Sequence, residues 1–423
     1  MENRNGGRRR VVVTGMGLIT PVGNDVPSAW DALLAGRSGG GPITQFDATE
    51  DYDCRIAAEV RGFQVEDYLE RKEAKRMDRF THFAMAASQE ALRQAGLDKQ
   101  PAGIDFDRIG VVIGSGIGGI HTFEEQTRVM IERGPKRISP FFVPMFIPDI
   151  AAGHVSMRYG MRGPNYCTVS ACASSAHAVG DAFRIIARGE ADAMVAGGTE
   201  ATVTPLTIAG FGNMRALSTR NDSPETASRP FDGTRDGFVL GEGAGILVLE
   251  ALEHAQARGA EIFGEIAGFG QSADAYHLTA SAPEGAGAQI AIRAALTDGG
   301  LELTDVDYIN AHGTSTPIND LNETLAVKKV FGEHAYDLVM GSTKSMTGHL
   351  LGAAGGVEAV ISTLVCRTGS IPPTINFSTP DPGCDLNYAH NERIDRPVRV
   401  AITNSFGFGG HNVCLAVKRW DGD

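Results

Sequence analysis

Ala91-Leu-Arg-Gln-Ala-Gly-Leu97, followed by Ile109-Gly-Val-Val-Ile-Gly-Ser-Gly116, is answered later in the chain by Ala295-Leu-Thr-Asp-Gly-Gly-Leu301, followed by Val306-Asp-Tyr-Ile-Asn-Ala-His-Gly313. Each copy reads as a helix ending in Gly-Leu, a connection, and a strand ending in a glycine turn. Repetition at this scale predicts a duplicated architecture, with the junction near residues 250 to 265, in the charged stretch Glu250-Ala-Leu-Glu-His-Ala-Gln-Ala-Arg-Gly259. Two matching segments can also arise by chance in a chain this rich in Gly and Ala. Further β-branched runs, Val11–Val13, Ala193–Ala196, Leu338–Met340 and Val398–Ile402, alternate with helical patterns. Such alternation predicts an α/β fold with a parallel or mixed sheet covered on both faces. At 423 residues the chain exceeds the usual size of a single core, which implies two domains or two fused halves.

Composition narrows the class. The 38 basic and 51 acidic residues give a net charge of −13, which speaks against a nucleic-acid partner, since phosphate binding needs a broad basic surface. The six cysteines, Cys54, Cys167, Cys172, Cys366, Cys384 and Cys414, have neither the density nor the short spacings of a disulfide framework. A reduced, cytoplasmic protein is expected. No apolar run reaches the roughly 20 residues of a membrane span, so no membrane insertion is expected. Residues 1–10 carry Arg8, Arg9 and Arg10 without an apolar segment after them, and read as a flexible tail rather than a secretory signal.

Four stretches could carry chemistry. Tyr166-Cys-Thr-Val-Ser-Ala-Cys172-Ala-Ser-Ser-Ala-His177 reads as a strand running into a helix, whose inner face is marked by residues 179, 182, 183 and 186. Cys172 then lies near a helix start, where unpaired N–H groups and the macrodipole favour a thiolate. The alternative, a buried core cysteine, suits Cys167, Cys366 and Cys414. Asn310-Ala-His312-Gly-Thr-Ser-Thr-Pro317 follows a strand, and strand ends in α/β folds face the ligand crevice. Ser342-Thr-Lys344-Ser-Met-Thr-Gly-His349 stands between another strand and the small-residue helix Leu350–Cys366. Either histidine alone reads more readily as a satisfied polar residue than as a catalyst; two histidines and a lysine at successive junctions are harder to assign to packing. Asn404-Ser-Phe-Gly-Phe408-Gly-Gly-His-Asn412, between strands Val398–Thr403 and Val413–Val417, reads either as a turn with aromatic packing or as an oxyanion-stabilising loop with a movable phenylalanine.

Gly114-Ser-Gly116-Ile-Gly-Gly119 has the dinucleotide spacing and follows a strand. After the helical pattern near His121–Glu132, the stretch Gly134-Pro-Lys-Arg-Ile-Ser-Pro-Phe-Phe142 offers no acidic residue at a second strand end to hold a ribose, so a nicotinamide site is not favoured. A zinc site from Cys172, His312 and His349 lacks the short ligand spacings, and no metal is expected.

Together the segments Ser170-Ala-Cys172-Ala-Ser, Asn310-Ala-His312-Gly-Thr-Ser-Thr-Pro317, Lys344-Ser-Met-Thr-Gly-His349 and Asn404-Ser-Phe-Gly-Phe408-Gly-Gly resemble the β-ketoacyl-[acyl-carrier-protein] synthases, in order and spacing, from Val11 to Arg419. Within that family Ser342-Thr-Lys-Ser-Met-Thr-Gly-His-Leu350 is similar to the elongating type II form. The resemblance implies a thiolase-like fold, with two similar halves in five layers, α-β-α-β-α, a homodimer, and no cofactor. The halves would be 11–256 and 257–420. It implies Cys172 as nucleophile, His312 and His349 as the catalytic histidines, and Lys344 as the motif lysine. Backbone N–H groups of Cys172 and Phe408 would form the oxyanion hole. Phe408 and Ile117 would gate a pocket also lined by Phe142 and Phe211, with Glu323 and Glu358 in structural roles, Glu358 as an ion-pair partner of Lys344.

The implied reaction is decarboxylative Claisen condensation of acyl-ACP with malonyl-ACP, giving 3-oxoacyl-ACP and CO2 in fatty acid elongation. A ketosynthase subunit of a type II polyketide synthase is the alternative; a thiolate hydrolase would release free acid instead. An acidic acyl carrier protein makes local positive charge relevant. Lys72, Lys75, Arg76 and Arg79 fall on one predicted helical stripe, with Arg133, Lys136, Arg137 and Arg215 elsewhere. An ordinary solvated surface is the other reading of each.

Overall fold

The structure, a computed structural model, describes residues 8–422. Of the ten strands of the main sheet, five precede the predicted junction, β1 (Val11–Ile19), β2 (Ile109–Gly114), β3 (Asn165–Tyr166), β4 (Ala193–Glu200) and β5 (Gly243–Ala251). Five follow it: β6 (Gly264–Ala273), β7 (Val306–Asn310), β8 (Val339–Gly341), β9 (Val400–Gly407) and β10 (His411–Lys418). The first set lies in the order β3-β2-β4-β5-β1 and the second in the order β8-β7-β9-β10-β6. Both therefore run third, second, fourth, fifth, first. The pairing directions repeat as well: three parallel strands, then two antiparallel. Val11–Val13 of β1 pair with Gly264–Ile266 of β6, joining the sets into a ten-stranded sheet.

The main helices are α1 (Arg79–Ala95), α2 (Ile120–Arg133), α3 (Ser174–Ala187), α4 (Ala286–Gly299), α5 (Pro317–Phe331) and α6 (Ala354–Thr368). The Gly-Leu echo is a pair of helix stops. Gly96 and Gly300 end α1 and α4 at φ +69° and +60°. In each case the following leucine N–H returns to a carbonyl five residues back, Leu97 to Leu92 and Leu301 to Leu296, both at 2.9 Å. Every residue of α6 from Ala354 to Cys366 is buried, as a helix enclosed on all sides requires. With α3 it forms the middle layer, in a core shared with both halves of the sheet; Val179, Ala182, Phe183 and Ile186 are all in it. Helix α1 covers the outer face of the first half, and α4 with α5 that of the second. The result is the expected α-β-α-β-α stack.

Outer helices approach the sheet through glycines in both halves. A Cβ on Gly15 or Gly17 of β1 would stand 2.1 or 1.9 Å from the carbonyl oxygens of Ala91 or Ala87 in α1. One on Gly268 or Gly270 of β6 would stand 2.2 or 2.0 Å from those of Ala295 or Ala291 in α4. Any side chain there would push the layers apart.

Several local expectations change. The strands β5 and β6 were not foreseen: β5 is buried throughout and shows no alternation, and β6 carries Gly264, Gly268 and Gly270. The Tyr166 strand is only two residues long. The Phe408 loop is a tight hairpin, since β9 and β10 pair as far as Gly407 with His411. Of the expected flexible tail, residues 1–7 lie outside the described residues. Arg8, Arg9 and Arg10 are tied down: Arg8 bonds Asp298, Arg9 pairs with Asp192 and Glu253, and Arg10 with Glu265.

Candidate active site

Cys172 stands on an elbow two residues before α3 begins. Ala171 has φ +51°, which strains a residue with a Cβ. Ser174 holds the bend: its Oγ accepts the Ser170 N–H at 2.9 Å and donates to the Ala171 carbonyl at 2.7 Å. Cys172 is 8% exposed and opens onto a cavity of about 420 Å³.

The second half supplies the other walls. His312 follows β7, and Glu323 of α5 fixes its turn by accepting the N–H groups of His312 and Gly313, each at 2.8 Å, and the Asn404 amide at 3.1 Å. His349 follows the short helix Lys344–Thr347 and is held by backbone bonds to Val239 and Gly241 at 2.7 and 2.9 Å. The two imidazoles meet edge to face, with centroids 5.3 Å apart at 85°, and both border the cavity. Burial, and after it the Lys344 charge, holds both histidines well below their ordinary value, so both are neutral near pH 7. Lys344 forms a buried ion pair with Glu358 of α6. Burial raises the Glu358 and Glu323 carboxyls to about 7 each.

The hairpin after β9 closes over Cys172. A Cβ on Gly407 would lie 2.5 Å from the Ser170 carbonyl and 3.2 Å from the Cys172 nitrogen. Only glycine permits that approach, and it brings the Phe408 N–H, with that of Cys172 itself, onto the Cys172 sulfur. Gly409 and Gly410 turn the chain at φ +88° and +79°. The Phe408 ring leans on Phe211, whose ring in turn meets Phe238 edge to face, with centroids 6.4 and 5.4 Å apart.

The expectation of a thiolate is corrected. Burial pushes the Cys172 thiol up to about 12, outweighing the lowering by Lys344 and by the N–H groups of Phe408 and Cys172. Cys366 and Cys414 are buried, whereas Cys167 is only half-buried.

Phe211 and Phe408 border the cavity. Ile117 is not among the residues that border it; with Phe211 it packs against the apolar cluster that contains Cys172 and Leu351. Phe142 does not reach the cavity; it stacks on Phe146, which tilts against Phe123. The basic stripe is also corrected. Residues 71–74 form a separate short helix, and Arg79, at the start of α1, is bound to buried Glu242 at 2.7 Å. Lys72, Lys75, Arg76, Arg133, Lys136 and Arg137 are exposed, with the Arg76 guanidinium 4.8 Å from the centre of the Phe141 ring. Exposed Arg215 lies at the cavity mouth.

Two neighbours of Cys172 escaped the sequence reading. Leu351 has φ +47° and borders the cavity, and Glu200 is a wholly buried carboxyl at the end of β4. An acidic residue at a strand's C-terminal end was the available signal for Glu200. Among the described residues, no group of three or more His, Cys, Asp and Glu is placed to hold a metal ion, and no helix is long and apolar enough to cross a membrane.

Residues 8–255 match the family model described as beta-ketoacyl synthase, N-terminal domain, and residues 263–378 the corresponding C-terminal domain. The chain is 54% identical to a 3-oxoacyl-[acyl-carrier-protein] synthase 2 of Synechocystis, over 98% of this chain and 99% of the relative. The same figures describe its similarity to a 3-oxoacyl-[acyl-carrier-protein] synthase 2 of Staphylococcus aureus. A solved beta-ketoacyl synthase from Burkholderia phymatum superposes with a TM-score of 0.90 at 36% identity, over 97% of this chain and 100% of that one. A type II polyketide ketosynthase, solved in complex with its acyl-carrier protein, also gives 0.90 at 36%, over 98% and 100%.

Proposed function

The chain belongs to the beta-ketoacyl synthase family, and from that premise we propose how its own residues carry the reaction. The activity is that of a condensing acyltransferase of fatty acid elongation: acyl-ACP and malonyl-ACP give 3-oxoacyl-ACP and CO2. The observation that carries the residue assignment is the convergence of one thiol, two neutral imidazoles and two backbone N–H groups on a single cavity.

In the first half-reaction the Cys172 sulfur attacks the acyl-carrier thioester. The thiol is protonated at rest, so its proton leaves as the new C–S bond forms and ends on the departing carrier thiol. The N–H groups of Cys172 and Phe408 stabilise the tetrahedral oxyanion. In the second, malonyl-ACP loses its carboxylate as CO2, and N–H groups of His312 and His349 hold the enolate oxygen. A neutral imidazole donates a hydrogen bond without first releasing a proton, which suits that task. The enolate carbon attacks the acyl-Cys172 carbonyl, and the sulfur leaves and regains a proton. Lys344, paired with Glu358, keeps positive charge beside both rings and helps to keep them neutral. Phe408 gates the cavity with Ile117, and Phe211 lines it.

The carrier would meet the exposed cations Lys72, Lys75, Arg76, Arg133, Lys136, Arg137 and Arg215, the last at the mouth. Two copies would join along the edge strand β3, beside which Ile131, Val143, Met157 and Val169 are 81, 59, 68 and 61% exposed. The halves 11–256 and 257–420 and a cytoplasmic location complete it; six free cysteines suit a reducing compartment. The polyketide alternative has the weaker support, 36% identity against 54%.

Incubation of the Cys172→Ala variant with acyl-carrier, followed by intact mass measurement, should show no acyl-enzyme. His312→Ala and His349→Ala should acylate and fail to condense. A thioester adduct on the Cys172 variant sinks the nucleophile assignment, and condensation surviving a histidine change sinks that histidine's role.

A further inference from the structure

The Gly114–Gly119 segment has the spacing of a phosphate-binding turn, and in this chain its N–H groups are already taken. The buried Glu200 carboxylate accepts the Gly116 N–H at 2.7 Å, the Ile117 N–H at 3.1 Å and the Ser115 hydroxyl at 2.9 Å. It also reaches across to the Gly352 N–H at 3.0 Å. Such a nest of amides is an anion site, and here the anion is internal. Glycine is needed at both contacts, since a Cβ on Gly116 or Gly352 would stand 2.9 or 2.5 Å from Glu200 Oε2.

The duplication gives this cluster a meaning. Glu200 ends β4 as Gly407 ends β9. Leu351 and Gly352 precede α6 as Ala171 and Cys172 precede α3, with left-handed φ of +47° and +51° at Leu351 and Ala171. In the sequence echo Ser115-Gly116 stands where His312-Gly313 does. Gly352 and Ser115 are thus the counterparts of Cys172 and His312; with Ile113 opposite Gly197 and Asn310 opposite Thr403 in the strand register, Glu200 falls at the place of Phe406. The Gly352 N–H, equivalent to the Cys172 N–H of the oxyanion hole, is capped by the Glu200 carboxylate.

We propose that Glu200 is a positioning residue: its carboxylate fills the symmetry-related copy of the reacting centre and, by gripping the Gly116–Ile117 turn and Gly352 together, fixes Ile117 and Leu351 against Cys172, so that it sets which acyl chains the thiol accepts. Both side chains pack with Cys172 in one apolar cluster. The carboxylate also lies close enough to Cys172 to raise its thiol. This inference rests on the condensing reaction assigned above.

The test uses full-length Glu200→Gln and Ser115→Ala. Acylation of Cys172 is measured as kcat/KM over a ladder of saturated acyl-carriers, alkylation of Cys172 by iodoacetamide is followed against pH, and malonyl-ACP decarboxylation gauges general damage. In Glu200→Gln the ratio between the best and worst chain should fall about ten-fold, the scale set by one misplaced methylene or more. Its alkylation profile should move to lower pH, because a nearby negative charge is gone. Ser115→Ala should flatten the ladder less, and it decides the matter if Glu200→Gln does not fold. An unchanged ladder, or an equal loss across all chains matched by decarboxylation, overturns the proposal. A wild-type enzyme that no acyl-carrier acylates would instead overturn the condensing reaction.

Discussion

Replacing Gly407 with Ala should separate the two half-reactions. The added Cβ would lie 2.5 Å from the Ser170 carbonyl, so the hairpin must retreat by about 0.9 Å to reach ordinary contact at 3.4 Å. The Phe408 N–H is attached to that hairpin and moves with it, away from the sulfur that it now faces. Losing one oxyanion donor costs about 10²–10³ in rate, roughly 3–4 kcal/mol of transition-state stabilisation. The strain on the folded state is smaller, about 1–3 kcal/mol for one inserted methyl, and the β9–β10 pairing from Val400 to Gly407 has room to absorb it. Acyl-enzyme formation, followed by stopped-time intact mass, should therefore slow by two to three orders of magnitude. Decarboxylation of malonyl-ACP depends on His312 and His349 on other loops and should fall far less. Equal losses in both assays, or acylation at the wild-type rate, would refute the assignment of Phe408 to the oxyanion hole.

Two further outcomes follow from buried titrations. His312 and His349 are held well below 6.5 by burial and Lys344, so lowering the pH from 8 to 6 should not protonate them, and decarboxylation under saturating malonyl-ACP should stay level; a fall centred near 6.5 would count against two neutral donors. Glu323 is raised from 4.5 to about 7 by burial, so the folded state keeps its proton where the unfolded chain has lost it. Its contribution is full below about 4.5 and is lost as pH rises towards 7, about 3 kcal/mol in all. Glu323→Gln removes that loss, and its melting temperature relative to wild type should climb across that window; a constant difference would mean that Glu323 does not titrate there.

What could be read in advance was local. The Gly-Leu helix stops, the helix start after Cys172 and the two histidine turns each announce themselves within a dozen residues, because caps, turns and strand ends are short-range chemistry. The glycine pairs of β1 and β6 and the Ala residues that they meet were in plain view, but only the packed layers show why both are needed. Interactions that join distant segments left no such trace. Arg79 looked like one of four free cations until Glu242, 163 residues away, proved to bind it. Glu200 meets Gly352 across 152 residues. The thiol of Cys172 was misjudged for a related reason. A helix start can be seen in sequence, whereas the enclosure that raises the thiol is built by distant segments, among them Val203, Ile208, Leu217, Phe238 and Leu351.

The central position of α6 bears on how the molecule comes into being. The half that carries Cys172 leaves the ribosome first, with the inner face of its sheet and of α3 still lacking the helix that covers them. At roughly 5–20 residues per second, translation from Ala187 to Ala354 takes on the order of 10–30 s. Throughout that interval the nascent chain exposes an apolar layer to the cell, and chaperones have their opportunity there. The nucleophile is meanwhile present without its histidines or its oxyanion donor. Competence to acylate therefore arrives late, when the β9–β10 hairpin closes, and a truncated chain would be sticky but chemically mute.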